Sequence, residues 1–589
     1  MPEFVDLAPI APMKKIFPQL QQSLRSFAGL DLPPREIAIK FQVPLPVARE
    51  KAPRLRDIMF LKKDLDDPDA DLNYCRALQK NLRQLNRCKI GAVRRFIYNE
   101  TFITTFYPLI LKRVRNHLDD GGIPDPAPRQ EMLDLMIDLI RQLIESYKII
   151  FRAIYCGKNF QFARLSSQFD KSAWRILELI KIKQRIMGLR YAALSPQMWL
   201  GANIVFHIMH GLGKTETERT TLEGIAANYG EPVQATLCDL FLSLQMVQRF
   251  NLSRWPTEWQ FSFDRFERSV RDLVQLVPDD GGKLSHNASL SYCYDNRPAH
   301  HERAEGRGSA LMIYWQRLNK KIMADYLQFF HEKGSGRRGN MAQKFEFLSF
   351  TEGLALVQLQ LDGLRDQTPV LGHEDLDGQL CDLRIFVGFK YAYPFLYNLH
   401  YHADLEQVGT RLEDLLAKRS AILAEDHVST TDSGWYLQYQ DQNILKLRTQ
   451  ETQYTTPLRI GALLIYGIGN EGIQQPSLGM VTRIVRPSAK KVYIDIVRLG
   501  AQPEPIMVTV DLDNFQKFDP HGKQVMYGMV VTDAKNVSSL IFPCHCNFIE
   551  KDTLVIKRVK GLQMVVLGKL QSVTKSYLSY QFTVSKQDF

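Results

Sequence analysis

The sequence predicts an α+β multidomain protein, with a helical N-terminal domain followed by a β-barrel-type C-terminal region. Three observations carry this. Apolar residues recur at a spacing of about 3.6 from Asp71 to about Phe266, the period of one helix face. After Gly434 the period falls to about two, and turn formers separate short β-type runs. A chain of 589 residues also exceeds what one hydrophobic core serves, so several domains are expected.

Taken in order, residues 1–60 read as an extended, proline-rich lead-in with Pro33-Pro34, Pro44 and Pro46. Residues 61–275 read as an all-helical domain. Its periodic segments are Tyr74 to His117, Glu131 to Tyr155, Ser172 to Leu189, Gln197 to His210 and Pro232 to Phe250. Residues 276–343 turn polar and broken, through Asp279-Asp280-Gly281-Gly282 and Asn296-Arg297-Pro298, and read as a linker with one helix, Ser309 to Phe330. Residues 344–430 form a mixed α/β segment with strands at Lys344 to Phe350 and Asp382 to Phe389 and a helix from about Leu405 to Ala424.

Within 431–515 the runs Trp435 to Gln440, Ile444 to Thr449, Leu463 to Tyr466, Leu478 to Val485, Lys491 to Leu499 and Ile506 to Leu512 suggest a small closed barrel. Residues 516–589 supply a further β set, a second unit or an extension of the first.

Composition narrows the function classes. Apolar residues at 45% and charged residues at 24% are globular values, which excludes wholesale disorder. The greasiest run, Leu133 to Tyr155, carries Asp134, Asp138, Arg141, Glu145, Lys148 and Arg152 about every fourth residue, so it is an amphipathic helix and no membrane span. Near the start Glu3 and Asp6 precede the first basic pair, the wrong order for a secretory signal, and a cytoplasmic location is expected. Eight cysteines spread over the whole length argue for reduced thiols rather than a disulfide framework. Cys544-His545-Cys546 would point to opposite faces of a strand, and His300-His301 lacks a cage of further ligands, so no metal is expected.

The net charge of +11 favours acidic partners, though it is a mild excess over so large a surface. Arg76, Lys80, Arg83, Arg87, Lys89, Arg94 and Arg95 follow one another almost without acids and form a candidate basic stripe for phosphates. No aromatic residues are interleaved, and a solvated helix face is the simpler reading. Gly211-Leu212-Gly213-Lys214-Thr215 resembles the end of a phosphate-binding loop, but Ile208 stands where that loop needs its first glycine, so a helix-ending glycine turn is expected. No hydrolase, protease, kinase or dinucleotide-binding signature is present, and the chain is read as a non-enzyme.

The β-rich part resembles PilZ-type barrels, the small bacterial barrels that bind cyclic di-GMP. The likeness rests on Trp435-Tyr436-Leu437-Gln438, on Ile460-Gly461-Ala462-Leu463-Leu464, and on Leu478 to Arg486. In the helical half, Met198-Trp199-Leu200 with His207 and Gly211, then Ala235 to Phe241 and Asn251-Leu252, are similar to large bacterial proteins with a helical region before such a barrel. The resemblance implies a signalling protein whose ligand is held by an R-x-x-x-R segment and a [DN]-x-S-x-x-G strand.

Here the expected strand reads Gln438 to Ile444 without serine or glycine, and Arg337-Arg338, Arg411 and Lys418-Arg419 lack the four-residue spacing. The expected role is therefore a non-catalytic scaffold with protein partners. Cyclic di-GMP is its one implied small ligand, bound weakly or not at all, with Arg337, Arg338, Asp441 and Asn443 as the candidate contacts. The alternatives are a nucleic-acid or anionic-surface binder using the basic stripe, and an enzyme with an unrecognised site.

Overall fold

A computed structural model describes residues 34–47, 51–54, 68–119, 127–156, 162–189, 191–222, 233–250, 252, 255, 260, 262–285, 287–334, 378–401, 428–429, 434–450, 455, 458–488, 491–510, 526–533, 537–546, 548–559, 561–574 and 576–585. The expected strand at Lys344 to Phe350 and helix near Leu405 lie outside these residues, as do Arg337, Arg338, Arg411, Lys418 and Arg419.

The helical region comes first. It comprises α1 (Pro34–Lys40), α2 (Pro68–Arg87), α3 (Ala92–Asp119), α4 (Ala127–Tyr155), α5 (Phe162–Leu189), α6 (Pro196–Gly211), the short antiparallel pair β1 (Arg219–Thr220) and β2 (Gln234–Ala235), α7 (Leu237–Arg249) and α8 (Ser262–Val270). The apolar stripes of α2 to α7 meet in one core that holds Leu78, Phe102, Ile140, Leu177, Phe206 and Phe241. α7 starts on a capping box: the Asp239 amide donates to Thr236 Oγ1 at 3.0 Å and the Thr236 amide to Asp239 Oδ2 at 2.7 Å.

α6 ends as the sequence predicts. Gly213 sits at φ +66°, its amide donates to His210 O, and the Lys214 amide reaches back to Met209 O, so two orphan carbonyls are satisfied by a glycine turn. The same two-bond ending closes α5, where the left-handed residue is Tyr191 at φ +55° rather than glycine. A tyrosine is tolerated there because its side chain is buried in the apolar core of the strand region, beside residues such as Leu383, Trp435 and Ile494.

Residues 276–343, expected as a linker with one helix, hold more structure than that. β3 (Gln275–Pro278), β4 (Ala288–Tyr292) and β5 (Ala310–Tyr314) form a three-stranded antiparallel sheet in the order β3-β5-β4, followed by α9 (Gln316–Gly334). The serines of Ala288-Ser-Leu-Ser-Tyr hide the strand in the sequence, yet all five residues are buried. The sheet docks on α6, where Asn203 Nδ2 donates to Asp295 O at 2.9 Å and Arg297 O at 3.0 Å.

The β-rich region comprises β6 (Gln379–Cys381), β7 (Leu383–Val387), α10 (Phe389–Tyr401), β8 (Val428–Ser429), β9 (Trp435–Gln440), β10 (Ile444–Thr449), β11 (Leu463–Ile468), α11 (Gly469–Gln474), β12 (Ser477–Ser488), β13 (Lys491–Thr509), β14 (Met526–Thr532), β15 (Ser538–Pro543), β16 (Thr553–Arg558), β17 (Gly561–Val573) and β18 (Tyr577–Val584). All pairings in it are antiparallel, and six strands form a ring, β13-β14-β15-β18-β17-β16 and back to β13. A second circuit runs from β13 through β12 and β11 to β7, and from β13 through β10 and β9 to β6. Asp382 alone separates β6 from β7, so the chain itself joins the two ends.

The sequence suggests two strands here, Lys491 to Leu499 and Ile506 to Leu512. They form one 19-residue strand that bends, with a register shift between Ala501 and Glu504. Gly500 is required at the bend, since a Cβ there would lie 2.2 Å from Val531 Cγ1 and 2.5 Å from Thr532 O. β13 therefore serves both circuits, and α10 packs Ala392, Phe395 and Leu396 against strands of both.

Candidate functional site

Three polar clusters of the helical region are built and filled by their own partners. Glu100 of α3 receives Arg175 of α5 at 3.1 and 3.2 Å, and Arg175 also pairs with the buried Glu178 at 2.7 Å. Glu267, fully buried on α8, accepts from Ser243 Oγ at 3.1 Å and from Arg271 at 2.6 and 2.9 Å. His207 lies between Ser309 Oγ at 3.1 Å and Ser291 Oγ at 3.2 Å, and burial pushes its pKa down to about 3, so it stays neutral. Each cluster locks one element to another.

The basic stripe divides in the same way. Arg76, Lys80, Arg83 and Arg87 are spaced four, three and four residues apart and lie exposed along one face of α2. Arg76 pairs with Glu131, and Arg83 reaches Asp138 at 2.9 Å, both acids on α4, so half of the row is a seam between helices. Arg94 is exposed, 5.8 Å from the Tyr98 ring centre. Arg95 is no part of a surface: it is 2% exposed and donates to Leu85 O at 2.9 Å and Cys88 O at 2.7 Å. It caps the C-terminal carbonyls of α2, and burial lowers its pKa to about 10.

The β9–β10 hairpin is different, because it presents charge and aromatic surface outward. Trp435, Leu445 and Leu447 point into the apolar core, which sends their neighbours to the other face. Tyr436 and Tyr439 are three residues apart and would fall on opposite faces of a regular strand. A bulge at Gln438 corrects this: Lys446 pairs with Tyr439 and Leu447 with Leu437, so both tyrosines share the outer face.

Opposite them stand two cations, also on the outer face. The Arg448 guanidinium lies 4.8 Å from the Tyr436 ring centre, and Lys446 Nζ lies 5.9 Å from that of Tyr439. The row continues across the sheet through the register Lys446–Asp495–Arg483. Such a face can stack planar rings and pair with anions.

Of the sequence-derived contacts, Asp441 and Asn443 lie at the tip of this hairpin, both exposed. Asp441 Oδ1 accepts from the Asn443 and Ile444 amides, both at 2.6 Å, and Oδ2 accepts from Tyr439 Oη at 2.9 Å. These bonds hold the Asp441 carboxyl below the usual carboxylate range. Asp441 thus fixes the turn and orients the exposed tyrosine.

The sequence reading missed the tyrosine–cation pairs, because the bulge that aligns them is invisible in the period of two. It also passed over Arg303 and Arg307, which have the four-residue spacing. Arg303 is bound to Asp279 at 2.6 and 3.0 Å, and Arg307 to the buried Asp295. His301 Nδ1 donates to Ala288 O at 3.0 Å, and among the described residues no group of three or more His, Cys, Asp or Glu is placed to hold a metal. No helix among them is long and apolar enough to cross a membrane.

No curated protein and no solved structure matches the chain. One family model does. Residues 68–255, which run from the first residue of α2 to just beyond α7, match the family described as "Cyclic-di-GMP receptor FimW, N-terminal domain".

Proposed function

We propose that this chain is a cytoplasmic, non-catalytic signalling protein that binds cyclic di-GMP and passes the signal on to protein partners. The observation that carries the reading is the match of the helical region to the N-terminal domain of a cyclic-di-GMP receptor. The ring of strands behind that region and the excess of basic residues support it, since the ligand is a dianion with two guanine bases.

Of the two ligand motifs of PilZ-type barrels, the [DN]-x-S-x-x-G strand is missing and the R-x-x-x-R spacing at Arg303 and Arg307 is taken up by Asp279 and Asp295, so the contacts come from other groups. Asp441 and Asn443 shape the hairpin next to the ligand, and Arg337 and Arg338 are the candidate phosphate partners that the sequence offers. Titration calorimetry on the full chain with cyclic di-GMP, and with GMP as control, tests this. The two incomplete motifs alone predict weak binding or none; with the family match, saturable micromolar binding, about −8 kcal/mol, is expected for the cyclic dinucleotide alone. Absence of heat and of any thermal shift at millimolar ligand would remove the reading.

A further inference from the structure

We propose that the outer face of the β9–β10 hairpin is the ligand platform, with Tyr436 and Tyr439 stacking the two guanines and Arg448 and Lys446 taking the two phosphates. The inference rests on the cyclic-dinucleotide reading above and assigns residues that the two PilZ-type motifs do not contain. Its first support is compositional: the ligand offers two planar bases and two anionic groups, and the hairpin's part of this face offers two aromatic rings and two cations, with Tyr493, Asp495 and Arg483 continuing the face on β13 and β12. The cations are two residues apart on one strand, about 7 Å, which is the scale of a dinucleotide rather than of a single nucleotide.

The second support is the bulge. A hairpin that only needed to fold would leave one tyrosine on each face, whereas the extra residue Gln438 brings both to the outside. Tyr439 is 48% exposed, yet its hydroxyl is held by Asp441, so the ring is oriented before any ligand arrives. Asp441 is therefore a positioning residue, and its own charge is spent on the turn.

The third support is the choice of cations. Arg448 is paired in register with Tyr436 and Tyr493, with no acid directly opposite it on either strand. Lys446 has Asp495 opposite, and Asp495 lies 3.8 Å from Arg483, so this end of the face is less positive. Arg448 is accordingly the stronger phosphate partner and Lys446 the weaker.

The test is calorimetry with cyclic di-GMP on the wild-type chain and on Arg448→Met, Tyr439→Leu and Tyr439→Phe, each checked for an unchanged urea midpoint. Arg448→Met and Tyr439→Leu should each weaken binding about tenfold to a hundredfold. Tyr439→Phe keeps the ring and should bind within about threefold of wild type. Should Arg448→Met fail to fold, Arg448→Lys keeps a charge without the planar fork and should show an intermediate loss. Wild-type binding that all these variants retain overturns the platform and leaves the receptor reading intact. A wild-type chain that does not bind overturns both.

Discussion

In the helical region, Arg95, Glu178, Lys181 and Glu267 are buried together with their partners, whereas past residue 378 the buried polar side chains of the described residues are Thr449, Thr455, Thr509 and Ser579. Geometry explains the contrast. Helices can aim side chains from three directions at one point, as Glu267, Lys181 and Ser243 do from α8, α5 and α7. Strands alternate, so in the two circuits the inward positions pack hydrocarbon and the ionic groups fall on the outer face. The helices thus use their charges to lock themselves together, while the strand region sets Arg448 and Lys446 against aromatic rings on its outer face.

The contrast breaks most easily at Glu267. Glu267→Ala leaves Arg271 and Lys181 without their buried acid and should cost about 3–5 kcal/mol in urea unfolding. A loss below about 1 kcal/mol would mean that the network relaxes without strain.

His207 gives the next largest effect and has a definite sign. The folded state holds its pKa far below that of the unfolded chain, so its contribution is complete above pH 6.5 and is lost as pH falls towards 3. Between pH 6.5 and 5 the fold should lose about 2 kcal/mol, and His207→Asn should flatten that slope in a thermal melt. In the strand core, Ile494→Val removes one methyl group and should cost about 0.5–1.5 kcal/mol, with no dependence on pH or salt.

The smallest effect belongs to Lys214, whose bond to Asp170 is part-exposed at 2.8 Å. Lys214→Ala should cost about 0.2–1 kcal/mol and leave any ATP or GTP binding unchanged, because the segment is a helix end. Loss of nucleotide binding in that variant would contradict the glycine-turn geometry.

Much of this fold was legible in the sequence, but the candidate site was legible only at its edge. The change of period separated helices from strands correctly, and Ile208 correctly marked the phosphate-loop lookalike as a helix end. Pattern reasoning failed where one residue alters the register. Gln438 moves Tyr439 to the outer face, and the bent β13 reads as two strands. It failed again where burial depends on distant partners: Arg95 reads as surface charge until α4 covers it. Asp441 was picked out by position, yet its role at the turn needs the coordinates of two amides and a hydroxyl.

The central claim, that the outer face of the strand region is the ligand-responsive part of a cyclic-dinucleotide receptor, is tested most directly by hydrogen exchange of the full chain with and without cyclic di-GMP. Residues 434–450 should gain protection on binding, and the turn around Tyr191, whose ring is buried in the same core, should gain it next. Protection confined to α2–α7, or none at saturating ligand, would contradict the account.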